Sequence, residues 1–250
     1  MQNLFFKIIK SIWNRLPETI KIKTSSLKLL KWSIFETESP KQIFSHIYKY
    51  NTWQSPESKS GAGSSLFETE NIRKEIPKLF NYYKIKTILD IPCGDLAWVS
   101  QLKINNLKYI GGDIVPELIE KNIKKSKTDF SIKDMQFIFL DIINDLLPPS
   151  DLILVRDCLV HFSNKDIIKS LKNILRSNTK YLLTTSFINL EENKDISTGS
   201  WRPINLQIHP FSFPKPIKII YENHPNEQYN DKSLCLWSVQ SLKKTLDELT

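Results

Sequence analysis

The chain of 250 residues is poor in glycine, with six in all: Gly61, Gly63, Gly94, Gly111, Gly112 and Gly199. So little glycine excludes a flexible low-complexity or collagen-like chain, and the six fall in predicted loops or strand tips, where close approach or special backbone angles are needed. The three cysteines, Cys93, Cys158 and Cys235, are odd in number and far apart. They exclude a disulfide framework and read as reduced thiols of a cytoplasmic protein. The four histidines are scattered, and none joins a cysteine at zinc-ligand spacing, so no metal site is expected. No apolar run approaches the roughly 18 residues of a membrane span. Lys7 and Lys10 interrupt the first apolar stretch, which argues against a cleaved signal peptide.

The net charge of +8 is unevenly placed. Residues 1–32 hold seven bases (Lys7, Lys10, Arg15, Lys21, Lys23, Lys28, Lys31) against Glu18, so the rest of the chain is nearly neutral. A near-neutral body argues against a broad nucleic-acid surface. Within the basic segment Phe5, Ile8, Ile9, Ile12, Trp13 and Leu16 recur at helical spacing. Such a helix either lies on an anionic membrane or docks on its own domain or a partner. A second helix is predicted from Pro40 to Tyr50, ending near Trp53.

Residues 87–113 organise the remainder. The apolar run Ile88-Leu89 ends on Asp90 and turns at Pro92-Cys93-Gly94; after a polar, helix-like segment, Tyr109-Ile110-Gly111-Gly112 ends on Asp113. This is a strand, turn, helix and parallel strand with an acid at its tip, the logic of a nucleotide-binding βαβ unit. Gly94 lets the backbone approach a ligand, and Asp113 can accept hydrogen bonds from two ribose hydroxyls. Asp95, at the head of the predicted helix, would repel a pyrophosphate, which disfavours an NAD-type dehydrogenase.

Further along, Ser55 to Ser65 is a small-residue loop expected to fold over the ligand, leading into a capping-box helix (Ser65, Glu68) with Ile72, Ile76, Leu79 and Phe80 as its stripe. Pro116 opens a helix through Lys125. Met135 to Leu140 is a third strand ending on Asp141-Ile142, and Leu152 to Val155 a fourth, followed by Arg156-Asp157 and His161. Ser163 caps the next helix, and Tyr181 to Thr185 is a fifth strand. A long aromatic, proline-rich insertion spans Gly199 to Pro214. Ile217 to Tyr221 and Leu234 to Val239 form a closing strand pair.

Asp90-Ile91-Pro92-Cys93-Gly94 resembles motif I of the class I S-adenosylmethionine-dependent methyltransferases, with Pro92 and Leu96 where the family's first and third glycines stand. Strand-end acids follow at the family's spacing, over roughly Ser60 to Leu242. The resemblance implies an α/β fold: a Rossmann-like seven-stranded sheet, mostly parallel with its last strand antiparallel. Residues 1–56 would be an N-terminal helical extension or lid, and 57–250 the methyltransferase domain. The implied cofactor is S-adenosylmethionine, leaving as S-adenosylhomocysteine. Asp90, Pro92, Cys93, Gly94, Asp113, Ile114, Asp141, Ile142 and Arg156 would bind it, with Asp141 and Ile142 meeting the adenine amine.

His161 is the candidate general base, since imidazole titrates near neutrality. Asp157 would orient it or act as base itself, and the alternative for His161 is a capping or core role. Trp201, Arg202, Asn205 and His209 of the insertion, with Trp98 opposite, combine aromatic faces with donors and suit a sugar or phosphorylated sugar. The alternative is an insertion packed by its own aromatics. Arg156-Asp157-x-Leu159-x-His161, Trp201-Arg202-Pro203 and Leu234-x-Leu236-Trp237 resemble a bacterial subgroup found in the company of glycosyltransferases of surface-polysaccharide synthesis. That resemblance implies O-methylation of a sugar hydroxyl or phosphoryl-type substituent on a capsule or lipopolysaccharide precursor. It also implies a cytoplasmic enzyme, peripheral at the inner membrane if residues 1–32 bind glycosyltransferases or lipid. An RNA or protein methyltransferase and a catalytically degenerate cofactor-binding scaffold stand as alternatives.

Overall fold

A computed structural model describes residues 38–127 and 131–247. The helix read in residues 1–16 and the basic segment lie outside the described residues. The elements are α1 (Pro40–Lys49), α2 (Glu70–Tyr82), β1 (Thr87–Asp90), β2 (Lys108–Asp113), α3 (Pro116–Lys125), β3 (Asp134–Phe139), β4 (Leu152–Val155), α4 (Asn164–Arg176), β5 (Tyr181–Phe187), β6 (Lys218–Tyr221), β7 (Lys232–Ser238) and α5 (Val239–Asp247).

The strands form one seven-stranded sheet in the order β3-β2-β1-β4-β5-β7-β6. β1, β2, β3, β4 and β5 are mutually parallel, and β7 runs antiparallel to both its neighbours. Parallel strands covered on both faces read as continuous apolar runs. Leu152 to Val155 is such a run, and every residue of it is buried. Strand order reverses between β1 and β4, so the cleft beyond their carboxyl ends is the natural ligand site of an open α/β sheet.

Two apolar layers sandwich the sheet. Ile167, Leu171 and Ile174 of α4 share one with Ile153, Val155, Trp237 and the insertion's Phe211 and Phe213. Ile72, Ile76 and Phe80 of α2 share the other with Ile88, Tyr109 and Leu152. Helix α1 starts as its sequence dictates: Ser39 and Gln42 form a capping box ahead of Pro40. Its Phe44 ring packs on Phe162, centroids 5.8 Å apart.

Two predicted helices differ. The polar segment between β1 and β2 is only a 3-10 turn, Val99–Gln101. Leu96 stands there at φ 61°, which breaks helical continuation. Trp98, Val99, Leu102 and Ile104 are nonetheless buried and cover the sheet without a helix. The helix expected from Ser65 begins at Glu70; Ser65 Oγ accepts from the Glu68 amide at 3.2 Å, which closes a turn preceding the helix.

Candidate active site

The turn after β1 is held from three sides. The amides of Ile91 and Cys93 donate to Leu154 and Gly112 carbonyls, both at 2.9 Å, continuing the sheet's pairing beyond Asp90. Helix α3 supplies Asn122, whose side-chain amide donates to the Gly94 carbonyl at 2.7 Å, and Lys125, which donates to the Asp95 carbonyl at 2.8 Å. Gly94 sits at φ 58°, and a Cβ there would come within 2.5 Å of Ser60 Oγ. The position therefore needs glycine for conformation and for space.

The 55–65 loop folds over this turn. Ser58 Oγ and the Lys59 amide each donate to the Asp95 carboxylate at 2.9 Å, and the Asp95 amide donates to Ser60 Oγ at 3.0 Å. Farther along, the Gly63 carbonyl accepts from Arg156 Nη2 at 2.8 Å. The repulsion assigned to Asp95 at a helix head changes its basis, because no helix begins there; the acid instead clasps the loop.

Beneath the loop lies a cleft enclosing about 1010 Å³ of empty space, part of it open to solvent. Asp90, Asp113, Asp141, Asp157 and His161 line it, together with Pro92, Cys93, Gly94, Ile114, Ile142, Trp98 and Arg156. The structure thus gathers twelve of the predicted residues at one place. It adds Phe44 and Trp53 from the α1 region and Ser60 and Ser64 from the loop.

The carboxylates differ in environment. Asp90 accepts from the Tyr109 hydroxyl at 2.6 Å. Burial pushes Asp90 up to about 7, against the Tyr109 hydrogen bond and with help from nearby Asp113. Asp113 accepts from the Gly94 amide at 3.2 Å and the Val115 amide at 3.0 Å. Burial lifts it to about 6 despite these donors. Asp141 spends both oxygens locally, on the Ile143 amide and the Asn144 side chain, each at 2.8 Å. Cys93 and Cys158 are buried beside these acids, which pushes both thiols well up and keeps them protonated.

His161 follows β4 through the 3-10 turn Leu159–His161. Its Nδ1 lies 2.8 Å from the Ser200 carbonyl. A carbonyl can only accept, so Nδ1 carries the proton and Nε2 keeps its lone pair. The Trp53 ring stacks on the imidazole, centroids 4.8 Å apart. Burial lowers the His161 pKa from its ordinary value, so the ring is neutral at pH 7. Asp157 is a poorer base. Burial opposes its ionisation, but Lys232 at 2.8 Å and Arg156 at 3.3 Å overcome that and hold its carboxyl well below the usual range. Arg156 itself is committed to Glu222 at 2.6 Å, with its guanidinium 5.7 Å from the Trp98 ring centre.

The insertion residues sit elsewhere. Buried Arg202 donates to the Lys194 and Leu159 carbonyls and to Asn164 Oδ1, at 3.0, 2.9 and 3.0 Å. Buried Asn205 donates to the Leu190 carbonyl at 2.9 Å and accepts from the Gln207 amide at 3.0 Å. Neither lines the cleft. Trp201 is 44% exposed, edge-on to Tyr229 and Phe187, and His209 is on the surface. The insertion reaches the cleft chiefly through the Ser200 carbonyl that fixes His161.

Sequence reasoning passed over Trp53, Tyr109, Glu222 and Lys232, and reached Ser60 only as part of the 55–65 loop. Glu222 and Lys232 stand at facing ends of the β6–β7 hairpin, where the Glu222 amide donates to the Lys232 carbonyl at 3.0 Å. A lone Lys heading a buried strand was the available signal. Among the described residues no group of His, Cys, Asp and Glu could hold a metal ion, and no helix is long and apolar enough to cross a membrane.

No protein-family profile and no curated protein matches the sequence. Solved structures do match the fold. Human N-acetylserotonin methyltransferase in complex with S-adenosylmethionine superposes at TM-score 0.55 and 13% identity, over 80% of this chain and 59% of that one. Magnesium protoporphyrin IX methyltransferase from Synechocystis, also with S-adenosylmethionine bound, gives 0.54 and 11%, over 81% and 98%. An N-methyltransferase from Bradyrhizobium japonicum gives 0.51 and 13%, over 69% and 96%. At such identities the likeness establishes the methyltransferase-type Rossmann fold and nothing finer.

Proposed function

We propose that this protein is an S-adenosylmethionine-dependent O-methyltransferase acting on a small polar acceptor, a sugar hydroxyl or phosphoryl-type substituent of a capsule or lipopolysaccharide precursor. The observation that carries the reading is a neutral His161, with Nε2 free to accept a proton, in a cleft rich in carboxylates. The residues fit the cofactor. Five aspartates (Asp90, Asp95, Asp113, Asp141, Asp157) line the cleft against Lys59 and Arg156, and Arg156 is already paired. Such a lining favours a cation and disfavours a pyrophosphate.

When bound, the cofactor supplies an activated methyl group on a positive sulfonium. Gly94 and the turn beneath Ser60 would cradle it, Asp113 would hold the ribose, Asp90 would face the amino group, and Asp141 with Ile142 would meet the adenine. Arg156, tied to Glu222 and to the Gly63 carbonyl, would hold the loop closed over the cofactor. His161 would accept the acceptor's hydroxyl proton, the step that a neutral, oriented imidazole performs best at neutral pH. Trp98, which lines the cleft, would flank the acceptor. Residues 1–32 would attach the enzyme to a membrane-associated complex with glycosyltransferases; flotation of the full chain with anionic vesicles, unchanged on deleting 1–32, would refute that attachment.

The decisive test is calorimetric titration with S-adenosylhomocysteine, beside Asp113→Ala and His161→Ala. Micromolar binding lost in Asp113→Ala supports the cofactor site, and turnover of sugar precursors should fall at least ~100-fold in His161→Ala with binding retained. Absence of binding by the wild type would leave the scaffold reading, which the missing motif I glycines favour.

A further inference from the structure

Four charged side chains close a ring, two of which, Arg156 and Asp157, line the cleft together with His161. Arg156 Nη2 lies 2.6 Å from Glu222 Oε2, Lys232 Nζ lies 3.2 Å from that same oxygen and 2.8 Å from Asp157 Oδ2, and Arg156 Nη1 returns to Asp157 at 3.3 Å. Charges alternate around it. The Arg156, Glu222 and Lys232 side chains are almost fully buried, and Asp157 keeps 24% exposure. Asp157 stands in the left-handed region, φ 51°, held by the donation of its amide to Thr185 Oγ1 at 2.9 Å. The loop above makes room for it: a Cβ on Gly63 would come within 2.8 Å of Asp157 Oδ2.

Buried ion pairs of this kind contribute little net stability relative to apolar packing, because desolvation offsets their attraction. Lys232 nevertheless heads β7, whose next five residues, Ser233 to Trp237, are all buried. Its position has a chemical consequence. An uncompensated carboxylate beside an imidazole favours the imidazolium, which cannot accept a proton. Among the described residues the charges that act on His161 are Asp157 from its own turn, which favours the imidazolium, and Arg202 from the insertion and Lys232 from β7, which oppose it; Trp53 and the Ser200 carbonyl bring no net charge.

We propose that Lys232 is a positioning residue that offsets the Asp157 carboxylate, so that this acid does not draw the buried, neutral His161 toward the imidazolium form. This rests on the reading of His161 as base, but its test does not require turnover. Asp157 is thereby held ionised and in place beside the imidazole without charging it.

The experiment is an NMR pH titration of histidine ring signals in the full chain, with His161 assigned through His161→Gln. Lys232→Met should raise the His161 midpoint by about one pH unit and Asp157→Asn should lower it, as loss of one unit charge of either sign demands. The double variant should return near wild type, and Lys232→Arg should match wild type. An unchanged midpoint in Lys232→Met, or shifts of the same sign in both single variants, would overturn the proposal. If Lys232→Met does not fold, Lys232→Gln is titrated instead: its midpoint must rise, and a fall or no change refutes the role. A wild-type turnover in His161→Ala would remove the base while leaving the titration result standing, so the two failures are distinguishable.

Discussion

Trp53 lies against the imidazole of His161, ring centroids 4.8 Å apart and planes 28° apart. The indole also meets Gly61, where a Cβ would stand 3.4 Å from Trp53 Cε3. The ring thus touches both the loop that covers the cleft and the candidate base. It comes from the segment just after α1, so that segment helps to fix the base's orientation.

Replacing Trp53 by Ala should lower turnover about ten-fold, equivalent to about 1.4 kcal/mol in the transition state. Trp53→Phe, which keeps an aromatic face, should retain most of the activity. Steady-state kinetics on both variants checks this. A Phe variant as poor as the Ala variant would show that filling the space against Gly61 matters more than the stacking face.

Asp90 and Asp113 predict a pH dependence with a definite sign. Their unfolded-state values lie near 3.8, and burial raises them to about 7 and about 6 in the fold. Between those limits the folded chain holds more protons than the unfolded one, so stability falls as pH rises. The urea midpoint of the ligand-free protein at pH 5 should therefore exceed that at pH 7.5, and Asp90→Asn should narrow the gap. Ligand groups that donate to these carboxylates favour the ionised forms. Binding of S-adenosylhomocysteine near pH 6.5 should release protons, seen as a buffer-dependent heat; net uptake would contradict the assignment.

Arg202 predicts a structural effect. Its guanidinium satisfies the Lys194 and Leu159 carbonyls and Asn164 Oδ1. Arg202→Ala removes the donor to the Lys194 carbonyl and Asn164 Oδ1, leaves the Leu159 carbonyl only the Phe162 amide, and should cost about 2–4 kcal/mol in chemical unfolding. S-adenosylhomocysteine affinity should change little, because Arg202 does not line the cleft. A large loss of affinity with unaltered stability would return Arg202 to the binding site.

Much of the architecture was legible because parallel strands and amphipathic helices write themselves as local periodicity. Leu152 to Val155 and Pro116 to Lys125 match the observed bounds of β4 and α3. The segment after Gly94 misled because Leu96 to Gln101 has a helix-compatible composition, while the φ of 61° at Leu96 is imposed by the turn and by the clasp of Ser58 and Ser60 on Asp95. The insertion misled differently. Arg202 and Asn205 carry the donors that a binding site wants, yet a long irregular segment must satisfy its own buried carbonyls first. Their donors are spent there.

By itself, the sequence determined the strand-tip acids Asp90, Asp113 and Asp141, and the Arg156-Asp157 and His161 group after β4, because a strand end followed by a turn fixes where a residue points. Only the tertiary structure decided which of these groups is free to act. Protonation and hydrogen-bonding capacity depend on neighbours distant in sequence: Tyr109 on Asp90, Ser200 and Trp53 on His161, Lys232 on Asp157. Those partners meet through the sheet's register and the loop's closure, and no local pattern encodes a charge that another strand will cancel.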